Sequence, residues 1–141
     1  VVIAEFCRGK HVLHLGACDS PYTERKLQEG TLLHQKLDQV AKSVVGIDVD
    51  QKAVDFLKEN YNYDMRLMDM NELDLRDLTP EVIVLGETIE HLSNPGASLQ
   101  RLASYMSAST KLLISTPNCY SLKFQSMVLR AFFITSLVAQ I

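Results

Sequence analysis

The residues of this 141-residue chain with the most evident chemistry stand directly after short apolar runs. The run that begins at His11 ends at Gly16, and the run that begins at Val44 ends at Asp48. A glycine after a strand lets the backbone approach a ligand closely, and a carboxylate at the end of the next strand can accept both hydroxyl groups of a ribose. The pairing predicts a nucleoside site at the carboxyl edge of an open α/β sheet.

A second carboxylate, Asp69, follows residues 65–68, which favour a short strand. It can accept from an adenine amino group, as can the backbone at Met70; the alternative is an acid on a surface turn. Gly16 is followed by Ala17, Cys18 and Asp19 rather than by the further glycines of a dinucleotide fingerprint. We therefore expect a nucleoside without a diphosphate, because a pyrophosphate needs a glycine-rich turn that opens a helix at once.

A second polar cluster follows the apolar run 82–85 and contains Glu87, Glu90 and His91. If Thr88 begins a helical turn, the three- and four-residue spacings put these side chains on one face. Such a face could bind a divalent metal or supply a histidine base. We expect no metal and take His91 as the candidate base. The plainer interpretation is that Glu87 bonds a ligand or the backbone while Glu90 and His91 contact neighbouring loops.

The elements that must position these residues alternate between strands and helices, which predicts parallel strands joined by crossover helices. Residues 18–30 are expected to form a long loop and residues 71–79 a polar connection. Thr31, Asp50 and Asn94 are expected to begin helices. We predict a single α/β domain over 1–141, with a doubly wound, mostly parallel sheet and helices on both faces. The predicted strands are 12–15, 43–49, 65–68, 82–85 and 112–114, and a last helix is expected from Tyr120 to the end.

Composition sets limits on the partners. Hydrophobic residues make up 47% of the chain and the net charge is -3, so no nucleic-acid partner is favoured. The three cysteines lack disulfide or metal spacing and fit a reducing cytoplasm. The start of the chain does not have the pattern of a signal peptide. The apolar stretch after Arg130 is too short to span a bilayer, which needs about 20 residues. We interpret it as a buried helix; the alternatives are a helix on a membrane surface and one that binds a partner, such as a second copy in a homodimer.

The order of these motifs resembles the class I S-adenosylmethionine-dependent methyltransferases, including their type 11 and type 23 groups. The resemblance covers the chain from about Gly9 to Asn118 and favours the branch of ubiquinone-type and glycan-associated O-methyltransferases. The family usually continues with further strands, so we expect this chain to be a fragment that lacks them. The matching segments are Leu13 to Gly16, Val45 to Asp48, Met68 to Met70, Glu87 to Leu92 and Ile114 to Asn118.

The resemblance implies S-adenosylmethionine as the cofactor and a small-molecule or glycan acceptor, methylated at oxygen with His91 as base. It also implies roles for the residues at the strand ends. Asp19 would contact the ammonium group. Residues expected at the methionine end are Gly16, Ala17, Gly86 and Glu87; those expected at the ribose and adenine are Asp48, Val49, Asp69 and Met70.

The chain departs from the family pattern at His14, where an acid is usual, and at Cys18 and Ser20, where glycines are usual. The trio of Glu87, Glu90 and His91 also resembles the metal site of small-RNA 2′-O-methyltransferases. That site needs a further histidine downstream, and none follows His91 here. The sequence leaves two other functions open: a nicotinamide-dependent oxidoreductase and a non-catalytic methyltransferase-like module.

Overall fold

Five parallel strands form the centre of the protein in a computed structural model that describes residues 2–117. The sheet order is β3-β2-β1-β4-β5. This arrangement confirms the predicted Rossmann-like sheet, and each strand lies where the apolar runs place it. The strands are β1 (His11–Leu15), β2 (Ser43–Asp48), β3 (Asp64–Leu67), β4 (Val82–Gly86) and β5 (Lys111–Ser115).

The register brings the carboxyl ends of the strands level with one another. Leu15 of β1 pairs with Ile47 of β2 on one side and with Leu85 of β4 on the other. The order of the strands reverses at β1, because β2 follows it on one side and β4 lies on the other. Ligands of open α/β sheets bind in the crevice outside the strand ends at such a reversal.

Helices cover both faces of the sheet. On one face lie α1 to α4, and the side chains beneath them include Val12, Val44 and Val84. On the other face lies α5, over a core that includes Leu13, Leu15 and Leu85. Successive strand residues point to opposite faces, so β1 contributes to both cores. The helices are α1 (Val2–Phe6), α2 (Thr23–Gln28), α3 (Leu33–Asp38), α4 (Gln51–Tyr61) and α5 (Pro95–Ala103).

Two of the predicted helix starts are confirmed. The side chain of Asp50 accepts from the Ala53 N–H at 3.1 Å, and that of Asn94 accepts from the Ala97 N–H at 3.1 Å. Each acceptor satisfies one of the N–H groups that the first turn of a helix leaves without a partner.

The expectation for Thr31 is wrong. Helix α3 begins after Leu32, which has no capping side chain, and the Thr31 hydroxyl instead donates to the Lys26 carbonyl at 3.3 Å. Thr31 therefore closes the end of α2, a helix inside the segment that was expected to be loop. Only Thr23 and Leu27 of this helix are buried, so its apolar periodicity is too weak to show in the sequence.

The connection between β3 and β4 holds a 3₁₀ turn at Met70–Glu72 rather than a crossover α-helix. Leu73 and Leu75 are 0% and 1% exposed, so the expectation of a polar connection is wrong for these two positions. Both Arg101 and Tyr105 donate to the Leu73 carbonyl at 2.9 Å. The alternation of leucines with charged residues lets this short segment cover the sheet in place of a helix.

Some expectations lie outside the described residues. These are the roles of Asn118 and Cys119, the helix from Tyr120 onward and the homodimer surface. Within residues 2–117, the structure has no helix of the length and apolarity that crossing a membrane requires. That residues 1–141 form one domain stays a prediction.

Candidate functional site

The turn after β1 is fastened to β2 by its own backbone. Gly16 has φ 68°, in the left-handed region that favours glycine. The N–H groups of Gly16 and Ala17 both donate to the Ile47 carbonyl, at 2.9 and 3.1 Å. The Cys18 N–H donates to Asp48 Oδ2 at 2.8 Å. These three successive donors are therefore already used and are not free to bind a pyrophosphate.

Asp48 lies at the centre of this edge, half-buried at the end of β2. Besides the bond from Cys18, its Oδ1 accepts from the N–H groups of Val49 at 2.8 Å and Asp50 at 3.1 Å. Each carboxylate oxygen has two acceptor positions. Oδ1 is thus fully used and Oδ2 keeps one position. In this conformation Asp48 can take one further hydroxyl group, where the sequence suggested two.

Two titratable groups next to Asp48 have shifted pKa values. Burial, followed by the negative charge of Asp48, raises the pKa of the Cys18 thiol, which therefore stays protonated. A hydrogen bond from the Ser20 hydroxyl, followed by that from the Ala53 N–H, lowers the pKa of Asp50. Asp50 also caps the first turn of α4 through its bond from the Ala53 N–H.

The three residues expected beside an adenine differ in their exposure to solvent. Val49 is 65% exposed, which leaves an apolar surface directly after Asp48. Asp69 is exposed, and its Oδ1 accepts from the backbone and side-chain nitrogens of Asn71 at 2.7 and 2.9 Å. Met70 is 6% exposed and packs in the core. A contribution of Met70 to a ligand would therefore come from its main chain.

Asp19 follows the glycine turn with φ 59° and forms an ion pair with the ammonium group of Lys26 on α2. The carboxylate expected to meet a ligand ammonium is thus already beside an ammonium group of the protein. A ligand cation would share this carboxylate with Lys26 or replace Lys26.

The segment after β4 forms a helical turn that begins after Thr88, an arrangement that the sequence left open. A 3₁₀ turn spans Ile89–His91, and the His91 N–H donates to the Thr88 carbonyl at 3.0 Å. Gly86 is half-buried, whereas Glu87, Glu90 and His91 are exposed. Glu87 has φ 51°, a costly conformation for a residue with a side chain, and its N–H donates to the Ser115 carbonyl at 2.9 Å. Nowhere in residues 2–117 are three or more His, Cys, Asp or Glu side chains grouped so as to hold a metal ion.

Thr88 has a contact that the sequence did not reveal. A Cβ atom added to Gly16 would lie 2.1 Å from Thr88 Oγ1 and 2.9 Å from Thr88 Cγ2. The Thr88 hydroxyl also lies 3.0 Å from the Gly86 carbonyl and 3.3 Å from the Leu15 carbonyl. The lone glycine was the only sequence signal, and it does not identify a partner 72 residues away.

His14 and His34 form a buried pair beneath the site. His14 of β1 is 2% exposed and His34 of α3 is 0% exposed, and their Nδ1 atoms are 3.3 Å apart. Burial lowers the pKa of both, that of His34 to about 4. The two rings are therefore neutral near pH 7, and one Nδ1 donates to the other. The position where the resembled family has an acid thus carries a neutral ring that faces a helix.

Comparisons with known proteins agree with this architecture. A family model described as a methyltransferase domain matches residues 28–133. A probable S-adenosylmethionine-dependent methyltransferase of Mycobacterium tuberculosis is 31% identical over 80 residues, which are 56% of this chain and 29% of the relative. A similarly named protein of Mycolicibacterium smegmatis is 28% identical over 117 residues, which are 82% of this chain and 41% of the relative. The chain thus spans less than half the length of these relatives.

A solved structure shows the same fold. The plantazolicin methyltransferase BpumL, in complex with a monoazolic desmethylPZN analog and SAH, aligns with a TM-score of 0.64 at 18% identity. The alignment covers 86% of this chain and 44% of that one. At this identity the likeness concerns the fold alone. Since the family model matches well over half of its residues, the chain belongs to the methyltransferase-domain family.

Proposed function

We propose that this chain binds S-adenosylmethionine and acts in the transfer of its methyl group to an oxygen of a small-molecule or glycan acceptor. The observation that carries the proposal is the position of Asp48, fixed beside the Gly16 turn with one acceptor position on Oδ2. Membership of the methyltransferase-domain family supports it. So do the names of the mycobacterial relatives, which are those of probable S-adenosylmethionine-dependent methyltransferases.

The nucleoside half of the cofactor fits the β2 and β3 ends. Asp48 Oδ2 would accept one ribose hydroxyl, and a second could bind only by displacing the Val49 or Asp50 N–H from Oδ1. The exposed side chain of Val49 offers an apolar surface for the adenine ring. Asp69 keeps its Oδ2 for the adenine amino group, since both of its bonds go to Oδ1.

The methionine half fits the ends of β1 and β4, where Gly16, Ala17 and Gly86 keep the walls small. The carboxylate of Glu87 follows β4 directly, and that of Asp19 lies in the turn after β1. An ammonium group is stabilised by a carboxylate such as that of Glu87, which would repel a pyrophosphate; the Asp19 carboxylate is already paired with Lys26. This arrangement argues against a nicotinamide dinucleotide as the cofactor, together with the N–H groups that the turn after β1 already uses.

When bound, S-adenosylmethionine supplies a methyl group that its sulfonium already activates for in-line displacement. The chain then has to orient the donor and acceptor and keep water away. His91 is exposed on the turn after β4, next to these strand ends. A neutral imidazole nitrogen there would take the proton from the acceptor hydroxyl as the oxygen gains the methyl group.

The kind of acceptor and the cellular location are each proposed from one observation. The solved relative contains a desmethylPZN analog beside SAH, which favours an acceptor of small-molecule size for this fold. A reducing compartment such as the cytoplasm suits Cys7 and Cys18, which are both buried free thiols.

Calorimetry with the purified chain tests the proposal directly. S-adenosylhomocysteine is the probe, because it has the nucleoside and amino-acid parts of the cofactor and does not react. NAD⁺ is the comparison ligand. We expect saturable binding of S-adenosylhomocysteine and none of NAD⁺. Binding of NAD⁺ alone would favour the oxidoreductase and overturn the proposal. A folded chain that binds neither would favour a non-catalytic module.

A further inference from the structure

Thr88 connects the ends of two neighbouring strands. Its hydroxyl oxygen lies 3.0 Å from the Gly86 carbonyl at the end of β4 and 3.3 Å from the Leu15 carbonyl at the end of β1. A hydroxyl has one proton to donate, so it shares that proton between the two carbonyls or alternates between them. In either case a single side chain joins the turn after β4 to the turn after β1.

Steric contact strengthens this connection. The Thr88 side chain fills the space where a Gly16 Cβ would lie, within 3.0 Å of three of its heavy atoms. The glycine therefore serves a second purpose besides its φ of 68°: it lets Thr88 lie directly against the β1 turn. The two turns approach more closely than any residue with a Cβ at position 16 would allow.

The residue before Thr88, Glu87, has an unfavourable backbone conformation. Glu87 has φ 51°, a conformation that surrounding contacts must hold in place for a residue with a side chain. Its N–H is fixed to the Ser115 carbonyl of β5 at 2.9 Å, and Thr88 fixes the other side to β1. The turn that presents Glu87 and leads into His91 is thus tied on both sides.

We propose that Thr88 is a positioning residue for the methionine end of the bound cofactor. Its hydroxyl and methyl groups set the distance between the Gly16 turn and the turn that carries Glu87 and His91. Methyl transfer depends on this distance, because the methyl donor would lie against the turn after β1 while the base, His91, follows β4. In-line displacement requires the donor, the acceptor and the base to be closely aligned. The inference rests on the proposed function, since it concerns the same cofactor site.

Two ligands and three variants of the full chain test this role. S-adenosylhomocysteine has the amino-acid part, and 5′-methylthioadenosine lacks it. Thr88→Val keeps the shape of the side chain and removes the hydroxyl, whereas Thr88→Ser keeps the hydroxyl. Thr110→Val is the matched control, because the Thr110 hydroxyl donates to the Pro80 carbonyl at 3.1 Å at the opposite edge of the sheet.

We expect Thr88→Val to weaken binding of S-adenosylhomocysteine about fivefold, which corresponds to one hydrogen bond of about 1 kcal/mol. Its affinity for 5′-methylthioadenosine should change less than about twofold, because that ligand does not reach the methionine end. Thr88→Ser should bind both ligands nearly as the wild type does. Thr110→Val should lower the melting temperature without changing either affinity.

An equal loss for both ligands in Thr88→Val, or no loss for either, would overturn the role of Thr88 while leaving the proposed function in place. A wild-type chain that binds neither ligand would overturn the proposed function and this role with it. If Thr88→Val does not fold, Thr88→Ala gives the same comparison. It removes the hydroxyl and the methyl group together, so its selective loss for S-adenosylhomocysteine should be at least as large.

Discussion

Acid should destabilise this protein through its buried histidines well before its carboxylates titrate. His34 is 0% exposed, and burial lowers its pKa from 6.5 to about 4. His14 on β1 faces it at 3.3 Å, and Tyr63 packs against its ring with centroids 5.1 Å apart. A histidine whose pKa is lower in the folded state than in the unfolded chain takes up a proton on unfolding, so stability falls as the pH falls.

The size of the effect follows from the two pKa values of His34. The contribution is complete above the unfolded value of 6.5 and is lost as the pH falls toward about 4. Between about pH 7.5 and pH 5 this histidine alone should remove about 2 kcal/mol from the free energy of unfolding. His14, whose pKa is also lowered by burial, adds to that loss.

Urea unfolding at about pH 7.5 and pH 5, followed by circular dichroism, measures this difference. His34→Leu should lose the part of the pH dependence that belongs to His34. His91→Gln keeps both buried rings and should behave like the wild type. A wild-type free energy of unfolding that changes by less than about 0.5 kcal/mol over this range would refute the buried, neutral pair.

Three further predictions concern the turns and helix starts around the site. Gly16→Ala should destabilise the chain by about 2–4 kcal/mol, since the left-handed φ and the overlap with Thr88 both oppose a Cβ. Thermal unfolding of Gly16→Ala/Thr88→Ala should show partial recovery, and fully additive losses would contradict the contact. Asn94→Ala should cost about 1 kcal/mol, because it removes the acceptor for the Ala97 N–H, and an unchanged melting temperature would exclude this cap. With a sugar or phenolic hydroxyl acceptor, His91→Gln should form S-adenosylhomocysteine about a hundredfold more slowly at unchanged cofactor affinity. An unaltered rate would remove His91 as the base.

The strands could be predicted from the sequence because burial on both faces leaves continuous apolar runs. The β4 run is fully buried from Val82 to Leu85, and it lies where its sequence indicated. The starts of α4 and α5 were equally visible, because Asp50 and Asn94 each bond a backbone N–H three residues away. Such local signals need no knowledge of the fold.

The features that the sequence did not reveal depend on distant partners. His34 meets His14 across 20 residues, and Thr88 lies against Gly16 across 72. Neither pairing follows from periodicity or spacing. The use of Asp48 by three backbone N–H groups was also hidden. A carboxylate after a strand looks the same in sequence whether its oxygens face a ligand or the neighbouring turn.

The binding of S-adenosylhomocysteine to the Asp48→Asn variant shows whether Asp48 holds the ribose of the cofactor. Asp64→Asn is the matched control, because Asp64 is an exposed acid at the other end of the neighbouring strand β3. We expect saturable binding by the wild type and the control, and a loss of about tenfold or more in Asp48→Asn, the size expected for hydrogen bonds to a charged group. Equal affinity in all three proteins would contradict the role of Asp48 at the ribose, and the absence of binding in the wild type would contradict the cofactor itself.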